Sequence, residues 1–186
     1  MNMQRGSHLA AAYGLLAALA LLLSFLETLL PMPVPIPGIK LGLANLVVLF
    51  LLLHAGVWQA LALSLGRVLL SSLLFSGFSG FVFSASGALL SWAVMALLVR
   101  SRMFSPVGVS LAGGLAHNLG QLAMAAVYTH SPGIIPAYLP VMMIAGAAMG
   151  MINGVIAAGA DRALMANPVT RRAVQRLQDQ GQGYKQ

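Results

Sequence analysis

The chain has 186 residues, of which 59% are hydrophobic and 7% are charged, and it carries a net charge of +7. Soluble domains carry roughly 25% charged residues, so this composition excludes a soluble globular protein and predicts an integral membrane protein. The sequence contains no cysteine, which excludes disulfides, thiolate metal sites and thiol nucleophiles.

Six apolar segments, each a candidate transmembrane helix, follow one another along the chain. They cover about residues 9–30, 41–54, 57–75, 83–99, 107–129 and 138–160. Four prolines in Pro31–Pro37 predict a stiff connector, and the glycines and serines of 76–81 predict a flexible loop. Pro106 is expected in the first turn of the fifth helix. The predicted fold class is an all-α membrane protein, with a six-helix transmembrane bundle over residues 1–160 and a basic cytoplasmic tail over 161–186.

Basic residues are distributed unevenly over the two sides of these six segments. One side collects Arg5, Arg100, Arg102 and the basic tail, whereas the other side has only Lys40. Cytoplasmic segments of membrane proteins are enriched in Lys and Arg, so both termini are predicted in the cytoplasm, with the chain in a bacterial inner membrane. We therefore interpret the net charge of +7 as membrane orientation and expect no binding of nucleic acid.

Small residues recur at every fourth position in two of the predicted helices. They are Ala10, Gly14 and Ala18 in the first helix, and Gly146, Gly150 and Gly154 in the sixth. Such a row lets another helix approach closely in lipid. Packing within the bundle is one interpretation for both rows, and docking of a separate membrane subunit is the alternative for the first helix.

An arginine near the middle of a predicted span is the most unusual residue of the chain. Arg67 shares one helical face with Ser64 and Ser71. A charge is costly in hydrocarbon, so Arg67 is predicted to face the bundle interior or a wet cavity. Asn153, in the sixth segment, is interpreted as an interhelical hydrogen bonder. His117, in the fifth, is interpreted as a packing residue, with a proton relay as the alternative.

Polar residues of several segments are predicted to converge on an outward-facing pocket. In the fifth helix Gly114, His117, Asn118 and Gln121 share one face. The residues predicted to line a substrate-binding pocket are Glu27, Lys40, Asn45, Arg67, Asn118 and Gln121. Buried ionisable residues in a membrane usually mark a functional site. The alternative is an ion pair of Glu27 with Arg67 or Lys40 that only locks helices together.

Sequence signals for catalysis are missing. The chain has no H-E-x-x-H pattern, no paired-carboxylate site and no phosphate-binding P-loop, and it contains three acidic residues in all. We therefore expect that the protein is not an enzyme and has no catalytic residues, no metal site and no cofactor. The missing P-loop also excludes a pump driven by its own ATP hydrolysis.

Three segments, Pro37–Leu46, Leu65–Leu70 and Val109–Gln121, together resemble the Gx transporter family. That family is also labelled heptaprenyl diphosphate synthase component I, and it is similar in plan to the substrate-binding S components of energy-coupling factor (ECF) transporters. The resemblance covers about residues 9–160 and implies a six-helix fold with cytoplasmic termini. Prenyl elongation needs aspartate-rich magnesium sites, so we interpret the synthase label as gene neighbourhood and not as an activity.

The resemblance also implies a function and partners. The protein would be the membrane-embedded subunit that binds a small vitamin-like or precursor molecule. A membrane coupling subunit and ATPase subunits would be separate chains, with Ala10, Gly14 and Ala18 engaging the coupling subunit. The alternative is a non-transporting membrane subunit that scaffolds or supplies a quinone- or flavin-dependent redox or isoprenoid pathway complex.

Overall fold

The structure is a computed structural model that describes residues 3–29, 40 and 42–183, and these residues form helices without strands. The helices are α1 (Met3–Leu29), α2 (Asn45–His54), α3 (Val57–Ser71), α4 (Gly77–Ser101), α5 (Pro106–Tyr128), α6 (Ile134–Ala166) and α7 (Pro168–Gly183). By length and composition, three helical stretches could cross a membrane: Ala10–Leu29, Val57–Ser101 and Ile134–Ala166. The prediction of an all-α membrane bundle is confirmed. The predicted connector Pro31–Pro37 lies outside the described residues.

Helix α2 is shorter than predicted and lies in the centre of the bundle. It has 10 residues, or about 15 Å at 1.5 Å per residue, and seven of its residues are buried. The predicted span 41–54 is therefore too long: Gly42, at φ +88°, has a backbone conformation that no helix contains, and the helix begins at Asn45. Lys40 and Gly42 thus belong to a non-helical segment beside the buried start of α2.

Helices α3 and α4 form an antiparallel hairpin with almost no loop. A π-helical turn, Ser72–Ser76, follows α3, and α4 begins at Gly77 with φ +64°. At the far end Trp92 Nε1 donates a hydrogen bond to the Val57 carbonyl oxygen at 2.9 Å. The predicted flexible loop over 76–81 is wrong, because one glycine with positive φ reverses the chain and helix satisfies the remaining backbone groups within the membrane.

Helices α5 and α6 pack backbone to backbone. A Cβ atom added at Gly114 would lie 2.2 Å from the Gly146 carbonyl oxygen, and one added at Gly150 would lie 2.7 Å from Leu111 Cα. The glycine row of α6 is therefore internal packing. At the start of α5, Pro106 occupies the first turn as predicted, and Ser105 Oγ accepts a hydrogen bond from the Gly108 N–H.

Most of the predicted tail is helical. Helix α6 continues to Ala166, beyond the predicted end of the sixth segment at residue 160, and α7 follows after one residue. Val174 and Leu177 of α7 are buried, and Leu177 joins the hydrophobic core that also contains Leu51 of α2. Helix α7 therefore runs from the end of α6 to the end of α2 and covers this end of the bundle.

Side chains of α6 and α7 contact His54, the last residue of α2. His54 Nε2 lies 3.0 Å from Asp161 Oδ1 on α6. The other ring nitrogen of His54 lies 3.2 Å from Gln178 Nε2 on α7. Helix α2 begins at the buried Asn45 and ends at His54, so it connects the two ends of the bundle interior.

Candidate functional site

The six residues predicted to line a pocket are all buried, with 0 to 4% of their surface exposed. They are Glu27 on α1, Lys40 before α2, Asn45 on α2, Arg67 on α3, and Asn118 and Gln121 on α5. Burial of so many polar groups is unusual, because each loses its hydration and needs a partner inside the protein. Their partners therefore indicate what each residue does.

Three helices hold the backbone of the segment that precedes α2. Glu27 Oε1 accepts a hydrogen bond from the Leu43 N–H, and Gln121 Oε1 accepts one from the Lys40 N–H at 3.1 Å. On the other side Asn153 Nδ2 donates to the Gly42 carbonyl oxygen at 3.0 Å. Asn153 thus binds this non-helical segment, whereas an interhelical bond was predicted. The segment is held in place by side chains of α1, α5 and α6.

Arg67 makes one hydrogen bond and has capacity for more. Its Nη1 donates to Ser24 Oγ on α1 at 3.1 Å, while Nε and Nη2 are buried and have no hydrogen-bond partner among the described residues. No ion pair within 4.0 Å joins Glu27 to Arg67 or Lys40 in the part of the chain that the structure covers. The ion-pair alternative is therefore not what holds these helices together.

Glu27 and Lys40 also present atoms without partners. Glu27 Oε2 and Lys40 Nζ are buried and lack a hydrogen bond to any residue within 3–29, 40 and 42–183. A buried polar atom without a partner costs about 1 to 3 kcal/mol, and more when it is charged. This arrangement suits a polar ligand that supplies the missing partners.

The six buried residues and their polar partners are called the polar cluster below. Helices α4 and α5 supply its uncharged side. Asn45 Nδ2 donates to Ser91 Oγ on α4 at 3.1 Å, and Gln121 Nε2 lies 2.8 Å from His117 Nε2. Gly87 of α4 makes room for this pair, since a Cβ atom there would lie 2.8 Å from Gln121 Cγ. His117 is therefore a member of the cluster, oriented by Gln121, and not only a packing residue.

Asn118 differs from the other predicted residues. Its Nδ2 donates to the Met142 carbonyl oxygen of α6 at 2.7 Å. The polar face of α5 therefore divides between two neighbours: Asn118 and Gly114 face α6, whereas His117 and Gln121 face α4 and the segment before α2. His117 and Asn118 are adjacent in sequence and 100° apart on the helix, so they contact different neighbours, and Asn118 is the predicted pocket residue whose hydrogen bond goes to α6.

The sequence interpretation missed two serines that complete the cluster. Ser24 precedes Glu27 by three residues, and Ser91 follows Ser84 by seven, so each pair shares a helical face. All three serines are at most 1% exposed. A search for polar pairs at these spacings would have found Ser24 and Ser91.

The small-residue row of α1 lies on the outside of the bundle. Ala10, Gly14 and Ala18 are all exposed, and nothing within 4 Å would meet a Cβ atom added at Gly14. This is the opposite of the α6 row, where an added Cβ would meet backbone. Within the described residues, no other part of the chain packs against Gly14 of α1.

Comparison with known proteins identifies the family. The family described as heptaprenyl diphosphate synthase component I matches residues 16–159, which is more than half of the chain. The chain belongs to this family. The resemblance to this family seen in the sequence is thereby confirmed, and the matched residues 16–159 contain all six buried residues of the candidate site, whereas α7 lies beyond them. No curated protein and no solved structure matches the chain.

Proposed function

We propose that the protein is the membrane-embedded substrate-binding subunit of an ECF-type transporter that takes up a small vitamin-like or precursor molecule. The observation that carries this proposal is the set of buried polar atoms without partners: Glu27 Oε2, Lys40 Nζ, and Arg67 Nε and Nη2. Because no described residue forms a hydrogen bond with these atoms, they are available to bind a ligand that enters the bundle. A site with unpartnered donors and acceptors fits ligand capture better than catalysis.

The charges indicate which ligands fit. Lys40 and Arg67 contribute two positive charges and Glu27 one negative charge, so an anionic group would balance the site. Arg67 offers two donor nitrogens, Nε and Nη2, that no described residue binds, and their planar arrangement suits a carboxylate or a phosphate. Glu27 Oε2 would accept a hydrogen bond from a donor on the same molecule. We infer a small substrate with one anionic group and at least one hydrogen-bond donor.

We further propose that the protein is not an enzyme. With Glu27, Asp161 and Asp179 as its three acidic residues, the chain offers little for metal-assisted prenyl or phosphoryl chemistry. The only acid in the polar cluster, Glu27, has one oxygen engaged by the Leu43 N–H. Energy for uptake would come from ATPase subunits in separate chains.

The proposed partner is a membrane coupling subunit, and its docking surface is the exposed row Ala10, Gly14 and Ala18. Small side chains allow close approach of another helix, and close packing drives helix association in lipid. Support comes from the exposure of all three residues and from the space around Gly14. An internal packing role is served instead by the glycines of α6.

Gly14→Leu is expected to weaken association with the coupling subunit by at least about ten-fold while the bundle stays folded, because the leucine fills the proposed contact groove. The measurement is co-purification of partner subunits with the tagged full-length protein, quantified by mass spectrometry. Gly66→Leu is the matched control: Gly66 of α3 is also exposed and also has nothing within 4 Å of an added Cβ, so its pull-down should equal wild type.

Two results would contradict this proposal. Unchanged recovery of the coupling subunit with Gly14→Leu would remove α1 as the docking helix. Recovery of redox or isoprenoid-pathway subunits in place of ATPases from the wild-type protein would support the non-transporting alternative.

A matched pair of serines tests the proposed orientation, in which the end that carries Arg100, Arg102 and α7 faces the cytoplasm. Ser131→Cys, in the exposed turn between α5 and α6, should react with an impermeant thiol reagent added to intact cells. Ser101→Cys, at the exposed end of α4, should react only after the cells are opened. The reverse pattern of labelling would invert the orientation. The native chain has no cysteine, so no background reaction interferes.

A further inference from the structure

An open cleft lies between the end of α6 and the start of α7, and the substrate-binding proposal does not involve it. The cleft has a volume of about 270 Å³ and is lined by Met165, Ala166, Pro168, Arg171, Arg172 and Gln175. Half of these side chains are apolar and two are cationic. A phospholipid has the same combination, with an anionic phosphate beside the first carbons of its acyl chains.

The corner between the two helices is fixed by hydrogen bonds. Asn167 Oδ1 accepts from the Val169 N–H at 2.9 Å, and Thr170 Oγ1 donates to the Leu164 carbonyl oxygen at 2.6 Å. The buried Val174 and Leu177 hold the rest of α7 against the bundle. These contacts fix the backbone around the cleft, so binding of a ligand by the arginines requires no ordering of the backbone.

The arginines of α7 lie where lipid headgroups are expected. Helix α6 is apolar enough to cross a membrane, and α7 begins two residues after α6 ends. Arg171 and Arg172 are exposed, and Gln175 is one helical turn after Arg171 on the same flank of α7. In the part of the chain described, Asp161 is the nearest acid before the cleft in sequence, and it faces His54. Among the side chains that the structure describes, no carboxylate lies within 4.0 Å of either arginine.

We propose that this cleft binds the headgroup of an anionic phospholipid, with Arg171 and Arg172 contacting the phosphate and Met165 and Pro168 contacting the glycerol and acyl carbons. Guanidinium groups bind phosphate oxygens in pairs, and basic residues next to a membrane helix favour anionic lipid. The bound lipid would anchor α7 at the membrane surface, independently of any substrate in the polar cluster.

The test is native mass spectrometry of the detergent-purified full-length protein titrated with phosphatidylglycerol. One phosphatidylglycerol molecule should bind preferentially, and phosphatidylcholine should bind at least about ten-fold more weakly. In Arg171→Gln/Arg172→Gln the affinity for phosphatidylglycerol should fall by about 25-fold, since each arginine near an anionic surface contributes about five-fold. Arg171→Lys/Arg172→Lys keeps both charges and should retain most of the affinity.

The matched control is Arg100→Gln/Arg102→Gln, which removes two exposed charges from the same end of the bundle but not from the cleft. It should bind phosphatidylglycerol like wild type. Equal losses in the two glutamine pairs, or equal binding of the two lipids, would overturn the proposal, because the attraction would then be unspecific. Unchanged phosphatidylglycerol binding in Arg171→Gln/Arg172→Gln would also overturn it and favour an acidic protein partner for α7. Competition by glycerol phosphate at the concentration of the lipid would assign the cleft to soluble anions instead.

Discussion

Arg67→Gln is expected to lower retention of the bound small molecule by about 30-fold or more. Removing one partner of a buried charged hydrogen bond costs roughly 2 to 5 kcal/mol, because the other charge is left without a partner. The measurement is mass spectrometry of small molecules released from equal amounts of wild-type and variant protein after purification in detergent. Arg67→Lys should rescue retention poorly, since an ammonium lacks the planar pair of donors.

Stability separates a ligand role of Arg67 from a structural one. No ion pair joins Arg67 to Glu27 among the residues described, so Arg67→Gln should unfold near the wild-type temperature. Ser24→Ala is the matched control: it removes the one hydrogen-bond acceptor of Arg67 that the structure describes and keeps the charge. Its loss of retention should be smaller than that of Arg67→Gln. If Glu27→Gln/Arg67→Gln retains the ligand like wild type and recovers stability lost in Arg67→Gln, Arg67 is a structural residue.

Gly114→Ala is expected to destabilise the bundle more than a Gly→Ala substitution at any other helical glycine that the structure describes. The new Cβ would lie 2.2 Å from the Gly146 carbonyl oxygen and 3.0 Å from Gly150 Cα. Both are backbone atoms of α6, so no side-chain rotation relieves the clash and the two helices must separate. Overpacking costs about 1 to 3 kcal/mol, which should lower the Tm of the purified protein by about 2 to 12 °C.

The control for Gly114→Ala is a glycine on the same pair of helices that faces open space. No atom lies within 4 Å of a Cβ atom added at Gly159 of α6. Gly159→Ala should therefore leave Tm unchanged or raise it, because alanine favours helix over glycine by about 1 kcal/mol. Equal melting temperatures for Gly114→Ala and Gly159→Ala would mean that α5 and α6 are not in backbone contact.

Several elements could be predicted because a single strong physical rule decides them. The cost of charge in lipid placed Arg67 inside the bundle, and the helical period placed Ser64 and Ser71 beside it; all three are buried. Proline chemistry placed Pro106 in the first turn of α5. The six residues proposed for the pocket are buried for the same reason as Arg67.

Other features depend on choices that the sequence pattern does not distinguish. The helical period places His117 and Asn118 near one another, but which neighbour each one contacts depends on how α5 is rotated between α4 and α6. Glycine content over 76–81 is equally typical of a loop and of close helix packing, and the structure uses these residues in a helix. The hydrogen bonds that backbone N–H groups donate to Glu27 and Gln121 leave no sequence signal, since every residue other than proline offers such a group.

The length of α6 has a consequence for how the protein sits in different bilayers. Helix α6 has 33 residues, or about 50 Å, whereas a hydrocarbon core is about 30 Å thick. Helix α5, packed along it, has 23 residues, or about 35 Å, which matches the core with little tilt. Helix α6 therefore exceeds α5 by ten residues, or about 15 Å. Since α5 holds α6 by backbone contact and the surplus turns carry Asp161 to His54, a bilayer that changes the tilt of α6 would also move α7 relative to the end of α2.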